Sequence, residues 1–203
     1  GTAKEDCQRI RIVVPDSVSL PRSPDAYAES LATAGSDLSI GPKYRVVTGF
    51  VAPIDTGDRN GMVPELSDEN RPAAEFYISP QARLTNPENT WLHEYIHTRQ
   101  TTTSKRWVAE GSATYFTAQY SVEAGWITPR EYDRYFAQRA TSNGTPDSAN
   151  IRHPKYIRGA FFMMGVAEDI EGSNTTIENV YQEVNMGTYS YRRPESIDAD
   201  DFE

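Results

Sequence analysis

Two histidines in one short segment are spaced for binding a metal ion. His93 and His97 enclose a glutamate in an HExxH pattern, within a chain that contains only 3 His among 203 residues. On a helix, this spacing places both imidazoles on one face, one turn apart. The pattern predicts that His93 and His97 are ligands of Zn²⁺. The alternative is a structural histidine pair on an amphipathic helix.

A catalytic zinc usually has three protein ligands and one position for water. Gln100 and Thr103 stand where the metzincin pattern requires Gly and His, which excludes that class. The remaining candidate ligand is Glu110. If the chain turns near Thr103, His97 and Glu110 face each other in an antiparallel helix pair with an axial offset of about 1.5 Å. The alternative is an exposed glutamate favoured at a helix start by the helix dipole.

Glu94 follows His93 directly, so on a helix its side chain points off the ligand face by about a quarter turn. It can then reach a water molecule rather than the metal. This position predicts that Glu94 is the general base of a hydrolytic reaction.

The first part of the chain has the pattern of strands and turns. Apolar, β-branched segments bounded by Pro or Gly predict three strands, and an Ala-rich segment before Gly35 predicts a short helix. The predicted strands are Ile10–Val14, Tyr44–Val51 and Glu75–Ser79; the helix is Pro24–Ala34, and a long loop covers Asp55–Pro72.

Helical signals dominate from Asn86 onward. Asn86 is a candidate N-cap with Pro87 as the first helical residue, and a turn is expected at Thr101–Ser104. Four further helices are predicted at 107–124, 129–140 behind a Thr128/Glu131 capping box, 156–171, and from 175 to about 187. Strands first and helices after predict one α+β domain, with a strand-rich part (1–85), a helical part (86–190) and an acidic tail (191–203).

The composition narrows the possible partners. The chain has 29 acidic and 20 basic side chains, and this negative charge disfavours nucleic acid. The longest apolar run, Gly159–Ala167, is too short to span a bilayer. The single cysteine, Cys7, excludes an intrachain disulfide and a Cys-rich zinc site. Acid excess with mostly Arg as the basic residue suggests a high-salt organism, which a rise of the melting temperature in molar KCl would support.

Two segments resemble one enzyme family. The HExxH pattern followed by Trp107–Tyr115 is similar to the gluzincin metallopeptidases, in the aminopeptidase-N-like and glycyl-aminopeptidase-like branch. The resemblance implies a thermolysin-like zincin domain with Glu110 as the third zinc ligand. Tyr156–Gly159 resembles the family's Tyr-x-Lys/Arg-Gly segment, which implies that Tyr156 donates a hydrogen bond to the developing oxyanion. The alternative is that Tyr156 only packs at a helix start, and His153 is expected in an exposed loop.

The chain also departs from this family. The interval between His97 and Glu110 is shorter than usual, and the Gly-x-Met-Glu-Asn segment that holds a free amino terminus is absent. Gly61–Glu65 is only weakly similar to that segment and is expected to be a loop. The sequence therefore leaves both exopeptidase and endopeptidase activity open. By the same resemblance, Glu75–Ser79 would be the edge strand that lines the cleft and pairs with an extended substrate. Ile197–Phe202 resembles a segment after the family's last helix.

The leading hypothesis is a zinc-dependent peptidase that acts on a peptide or protein substrate. A catalytically silent gluzincin-like module that binds peptides or acts as a scaffold is the alternative, and a helical domain with an accidental HExxH is a third. The resemblance implies an extracytoplasmic or cell-envelope location. Because the chain starts with Gly-Thr-Ala, we expect it to be a fragment or a processed form.

Overall fold

A computed structural model describes residues 1–5, 8–41, 44–52, 61–64, 73–100, 106–142 and 154–186. The features predicted at Cys7, Thr101–Ser104, His153 and the tail 191–203 lie outside these residues. Within the described ranges, no helix has both the length and the apolar character that a bilayer crossing requires. The chain forms two compact units, one of Gly1–Leu84 with Asn89–Thr102 and one of Thr85–Glu88 with Thr103–Glu203.

The first unit is built on a five-stranded sheet. Its strand order is β1-β2-β3-β5-β4; β2, β3 and β5 are parallel, and β1 and β4 pair antiparallel at the two ends. The strands are β1 (Thr2–Glu5), β2 (Gln8–Val13), β3 (Val46–Val51), β4 (Gly61–Met62) and β5 (Ala73–Ile78). The three predicted strands are therefore present with small shifts at their ends, and β1 and β4 are additional.

One face of the sheet is buried. Residues alternate between buried and exposed along β2, and Val47 and Phe76 face the same core from β3 and β5. Two helices of this unit, α1 (Pro24–Asp37) and α2 (Thr90–His97), pack against the strands. Their aromatic side chains meet there, with the rings of Tyr27 and Trp91 4.3 Å apart. This alternation is why short β-branched segments predicted the strands well.

Helix α1 extends past its predicted end. It starts at the N-cap Ser23, whose hydroxyl accepts from the amide of Ala26, but it continues through Gly35 to Asp37. Gly35 lies inside the helix, at a position where a Cβ would overlap the hydroxyl of Tyr95 on α2. Gly35 therefore allows close packing of the two helices and does not end α1.

Helix α2 starts later than predicted. Its N-cap is Asn89 and not Asn86, and the side-chain oxygen of Asn89 accepts from the amide of Leu92 at 3.2 Å. Residues 84–88 form turns, and Glu88 makes an ion pair with Arg139, far along the chain. A local capping pattern could not reveal that distant partner.

The second unit is helical, with α3 (Arg106–Glu123), α4 (Pro129–Ser142), α5 (Pro154–Asp169) and α6 (Ile177–Met186). The capping box of α4 is present, since Glu131 accepts from the amide of Thr128 at 2.7 Å and Thr128 accepts from the amide of Glu131 at 3.2 Å. A small N-terminal sheet followed by a mostly helical remainder confirms the predicted α+β class.

Helices α3 and α5 touch through two glycines. A Cβ on Gly111 would overlap Gly159, and a Cβ on Gly159 would lie 2.6 Å from the Cα of Gly111. Both contacts involve backbone atoms, which cannot move aside as a flexible side chain can. The glycine pair therefore sets the close approach of the two helices.

We expect Gly159→Ala to destabilise the protein by about 1 to 3 kcal/mol, the usual cost of overpacking a well-packed contact. Gly165→Ala on the same helix is the matched control, since a Cβ there meets nothing within 4 Å and Ala favours a helix interior. Urea unfolding of both variants measures the difference. Equal midpoints would show that the helix crossing tolerates a methyl group.

Candidate metal centre

The two histidines of the HExxH pattern face each other on α2. Their Nε2 atoms are 3.1 Å apart, and their rings are tilted by 84° with centroids separated by 4.7 Å. Two imidazoles on one tetrahedral zinc, each with a Zn–N distance of 2.0 to 2.1 Å, would have their nitrogens about 3.3 Å apart. The observed separation is close to that value, so the pair fits a shared metal ion.

The second ring nitrogen of His97 has a defined partner. His97 Nδ1 is 2.6 Å from the side-chain oxygen of Gln100. An amide oxygen only accepts, so this contact is a hydrogen bond when Nδ1 carries the proton, and Nε2 then keeps its lone pair. This is the tautomer that a metal ligand needs.

Glu110, the predicted third ligand, lies on α3 in the second compact unit. Among the described residues, it belongs with His93 and His97 to the residues whose donor atoms could hold a metal ion. Glu110 is the fifth residue of α3, and its carbonyl accepts from the Thr114 hydroxyl at 2.8 Å, so its backbone is fixed within the helix. Two imidazoles and one carboxylate are a donor set that suits a catalytic zinc.

Glu94 is buried beside a glycine. It is 7% exposed, and its side chain lies against Gly61, where a Cβ would come within 2.5 Å of Glu94 Cγ and 2.7 Å of Oε1. Only a residue without a side chain leaves this carboxylate where it is. Gly61 therefore sets the position of the predicted general base.

Replacing Gly61 by Ala should displace the Glu94 carboxylate and lower kcat by about 10²-fold, the scale associated with a misplacement of about 1 Å. Zinc content should stay unchanged, because the substitution leaves the predicted ligands His93, His97 and Glu110 in place. Peptide hydrolysis and metal analysis of the purified variant test this expectation, with Gly165→Ala as the control. Wild-type turnover in Gly61→Ala would contradict it.

The sheet corrects two expectations about this region. Gly61–Met62 forms strand β4 and is not a loop, and it pairs antiparallel with β5 through Gly61↔Ile78 and Met62↔Tyr77. Strand β5 contains most of the predicted cleft strand Glu75–Ser79, but it lies between β3 and β4 and is not an edge strand. Two residues that include a glycine are too short a segment to show strand periodicity, which is why β4 was missed.

Tyr156 lies in the first turn of α5 and is half-buried. It precedes Gly159 by three residues, and Glu110 directly precedes Gly111. The contact between the two glycines therefore ties the start of α5 to the segment of α3 that carries Glu110. Both segments that resemble the gluzincins, Trp107–Tyr115 and Tyr156–Gly159, contain a glycine of this contact.

A buried hydrogen-bond network of Arg99, Tyr95 and Gln8 fixes the position of α2. Arg99 is fully buried and donates to the hydroxyl of Tyr95 at 3.2 Å and to the carbonyl of Leu38 at 2.9 Å. Tyr95 in turn donates to the side-chain oxygen of Gln8 at 2.6 Å, and burial raises the pKa of its hydroxyl, which keeps it protonated as a donor. The helix that carries both histidines is thus fixed to β2 and to the end of α1.

Two residues near the centre were not assigned a role from the sequence. Gln100 has the spacing of one further turn beyond His97, which is a signal, but the direction of its side chain depends on how α2 ends. Gly61 offers no signal of its own, because its partner Glu94 is distant in the sequence.

The chain is similar to known peptidases in sequence and in fold. A family model described as M61 glycyl aminopeptidase matches residues 73–186, which include β5 and all helices from α2 to α6. No curated protein matches the chain. Among solved structures, the M1 zinc metallopeptidase from Deinococcus radiodurans is similar, with a TM-score of 0.65 and 14% identity. That similarity covers 98% of this chain but 45% of the other, so this chain spans less than half of its length, and at this identity the likeness shows the fold.

Proposed function

The chain belongs to the M61 glycyl aminopeptidase family, because that family model matches more than half of the chain's 203 residues, and we propose that the protein hydrolyses peptide bonds with the help of a bound zinc ion. The donor chemistry supports zinc, because two imidazoles and one carboxylate leave a coordination position for water. The metallopeptidase fold of the similar structure is in keeping with this proposal.

The observation that carries the proposal is the pair of Nε2 atoms 3.1 Å apart. When His97 Nδ1 donates to Gln100, the lone pair of His97 stays on Nε2, which lies next to Nε2 of His93. A zinc ion held by both imidazoles would satisfy both lone pairs, and the Glu110 carboxylate would balance part of its charge. We assign the roles of zinc ligands to His93, His97 and Glu110.

When bound, zinc supplies a Lewis acid and lowers the pKa of a coordinated water to about 7. In our proposal, Glu94 accepts a proton from the attacking water and then donates it to the leaving amine. Its burial beside Gly61 supports this role, since a carboxylate in such a position is shielded from bulk water and fixed in orientation. Tyr156 donates a hydrogen bond to the oxyanion that develops on the scissile carbonyl.

We further propose that an extended substrate pairs with β4. This strand ends the sheet order among the described residues, and its Gly61 lies against Glu94. A peptide added to a sheet edge gains main-chain hydrogen bonds with little dependence on its side chains. Such a substrate would run beside the proposed general base.

Mass-spectrometric mapping of cleavage products from a proteome-derived peptide mixture tests this function. We expect the wild type to cleave peptides, to stop when a chelator removes zinc, and to resume when zinc is returned. The positions of the cuts then distinguish removal of terminal residues from internal cleavage. A wild type that cleaves nothing across pH and salt, while still binding peptides, would favour the silent peptide-binding module.

A further inference from the structure

We propose that Gln100 is a positioning residue for the metal centre, which fixes the tautomer and ring orientation of His97 through the 2.6 Å contact of its side-chain oxygen with Nδ1. The inference rests on the proposed function, because it concerns a ligand of the proposed zinc. It adds a residue that the HExxH pattern and the third ligand do not include.

The end of α2 brings Gln100 to this position. After His97 the chain tightens into turns with i→i+3 spacing, in which the amide of Arg99 donates to Ile96 at 2.8 Å and that of Gln100 donates to His97 at 3.3 Å. Such tight turns are common at helix ends and put residues three apart above one another. The Gln100 side chain is thereby folded back over the ring of His97.

The turn itself is fixed by buried groups. The Thr98 hydroxyl donates to the carbonyl of Tyr95 at 2.6 Å, and the buried Arg99 binds the carbonyl of Leu38. Thr98 and Arg99 are both fully buried. Thr98 and Arg99 therefore fix the backbone that carries Gln100, so the hydrogen bond to His97 requires no further ordering of that backbone.

The effect on His97 depends on which group donates the hydrogen bond in this contact. If the amide oxygen of Gln100 accepts from Nδ1, then Nε2 has a lone pair for the metal. If the amide nitrogen of Gln100 instead donated to Nδ1, then the proton of a neutral ring would lie on Nε2, which would oppose metal binding. A carboxylate can only accept, so a glutamate at this position distinguishes the two arrangements.

The test compares Gln100→Leu with Gln100→Glu. Zinc Kd is measured by competition with a chromophoric chelator, and the Co²⁺-substituted proteins are compared by absorption spectroscopy. We expect Gln100→Leu to raise the zinc Kd by about 10- to 100-fold, the usual effect of losing an outer hydrogen bond to a ligating histidine. Gln100→Glu should keep the Kd at or below that of the wild type. Gln182→Leu, an exposed glutamine on α6, is the matched control and should leave the Kd unchanged.

Each outcome decides the matter. A wild type that binds one zinc, together with an unchanged Kd in Gln100→Leu, would overturn the role of Gln100 and leave the proposed function intact. A weakened Kd in Gln100→Glu similar to that of Gln100→Leu would also overturn it, because the accepting oxygen is then not what matters. If the wild type binds no zinc, both this inference and the proposed function fail. Thermal unfolding of the metal-free variants excludes a change in fold as the cause.

Discussion

Glu94→Gln should lower kcat for peptide hydrolysis by about 10²- to 10⁴-fold while the protein still binds one zinc ion. The amide has the shape of the carboxylate but cannot accept the proton of the attacking water. The ligands His93, His97 and Glu110 are untouched, so the zinc Kd should remain that of the wild type. Metal analysis together with single-turnover hydrolysis separates the two effects.

Glu171→Gln is the matched control, since Glu171 is exposed in the turn after α5. It should hydrolyse peptides at the wild-type rate. Full activity in Glu94→Gln would show that another group acts as the base. Loss of zinc from Glu94→Gln would instead assign Glu94 a part in metal binding.

Tyr156→Phe is expected to lower kcat by about 10²- to 10³-fold with little change in KM or zinc content, as for the loss of one oxyanion donor. The reason is that the hydroxyl would bind the oxyanion, which exists only near the transition state, and not the ground-state substrate. Steady-state kinetics on a peptide identified in the cleavage mapping, with metal analysis of the same sample, checks both parts of this expectation.

Tyr132→Phe provides the comparison on α4. Burial is the main cause that raises the pKa of Tyr132 to about 12, so its hydroxyl, like that of an unperturbed tyrosine, is neutral at working pH. Removing that hydroxyl should leave the kinetics unchanged. Equal rates for wild type and Tyr156→Phe would remove Tyr156 from the reaction and leave it as a residue that packs at the start of α5.

The sequence predicted the fold class and the family, and both are confirmed. Local rules were sufficient where the deciding interaction is local. The capping box of α4 depends on residues three apart, and the alternation in β2 depends on one covered face of a sheet. The segments that suggested the gluzincins lie within the part of the chain that matches the family.

The prediction was wrong where a distant residue decides the structure. Glycine is common at helix ends, so Gly35 was predicted to end α1. Here Gly35 instead provides space for Tyr95, and α1 continues past it. Asn86 and Asn89 are equally good N-caps by residue type, yet the N-cap of α2 is Asn89. The neighbours of β5 depend on a strand of two residues, and no periodicity could have identified them.

For the metal centre, the spacing of the HExxH pattern was enough to predict which histidines share a helix face. The third ligand required an assumption about a turn that lies outside the described residues, and its role remains a prediction. The roles of Gly61 and Gln100 needed the positions of atoms, because each depends on the direction of one side chain.

The buried Arg99–Tyr95–Gln8 network has a consequence for how the ion is acquired. Small zinc domains fold only when the metal binds, because nothing else brings their ligands together. Here hydrogen bonds to the sheet and to α1 already fix the helix that carries both imidazoles. The ion should therefore be removable, and exchangeable for another divalent cation, without unfolding of the protein. The metal content of a preparation should then depend on the ions in its final buffer and not on the ions present during folding.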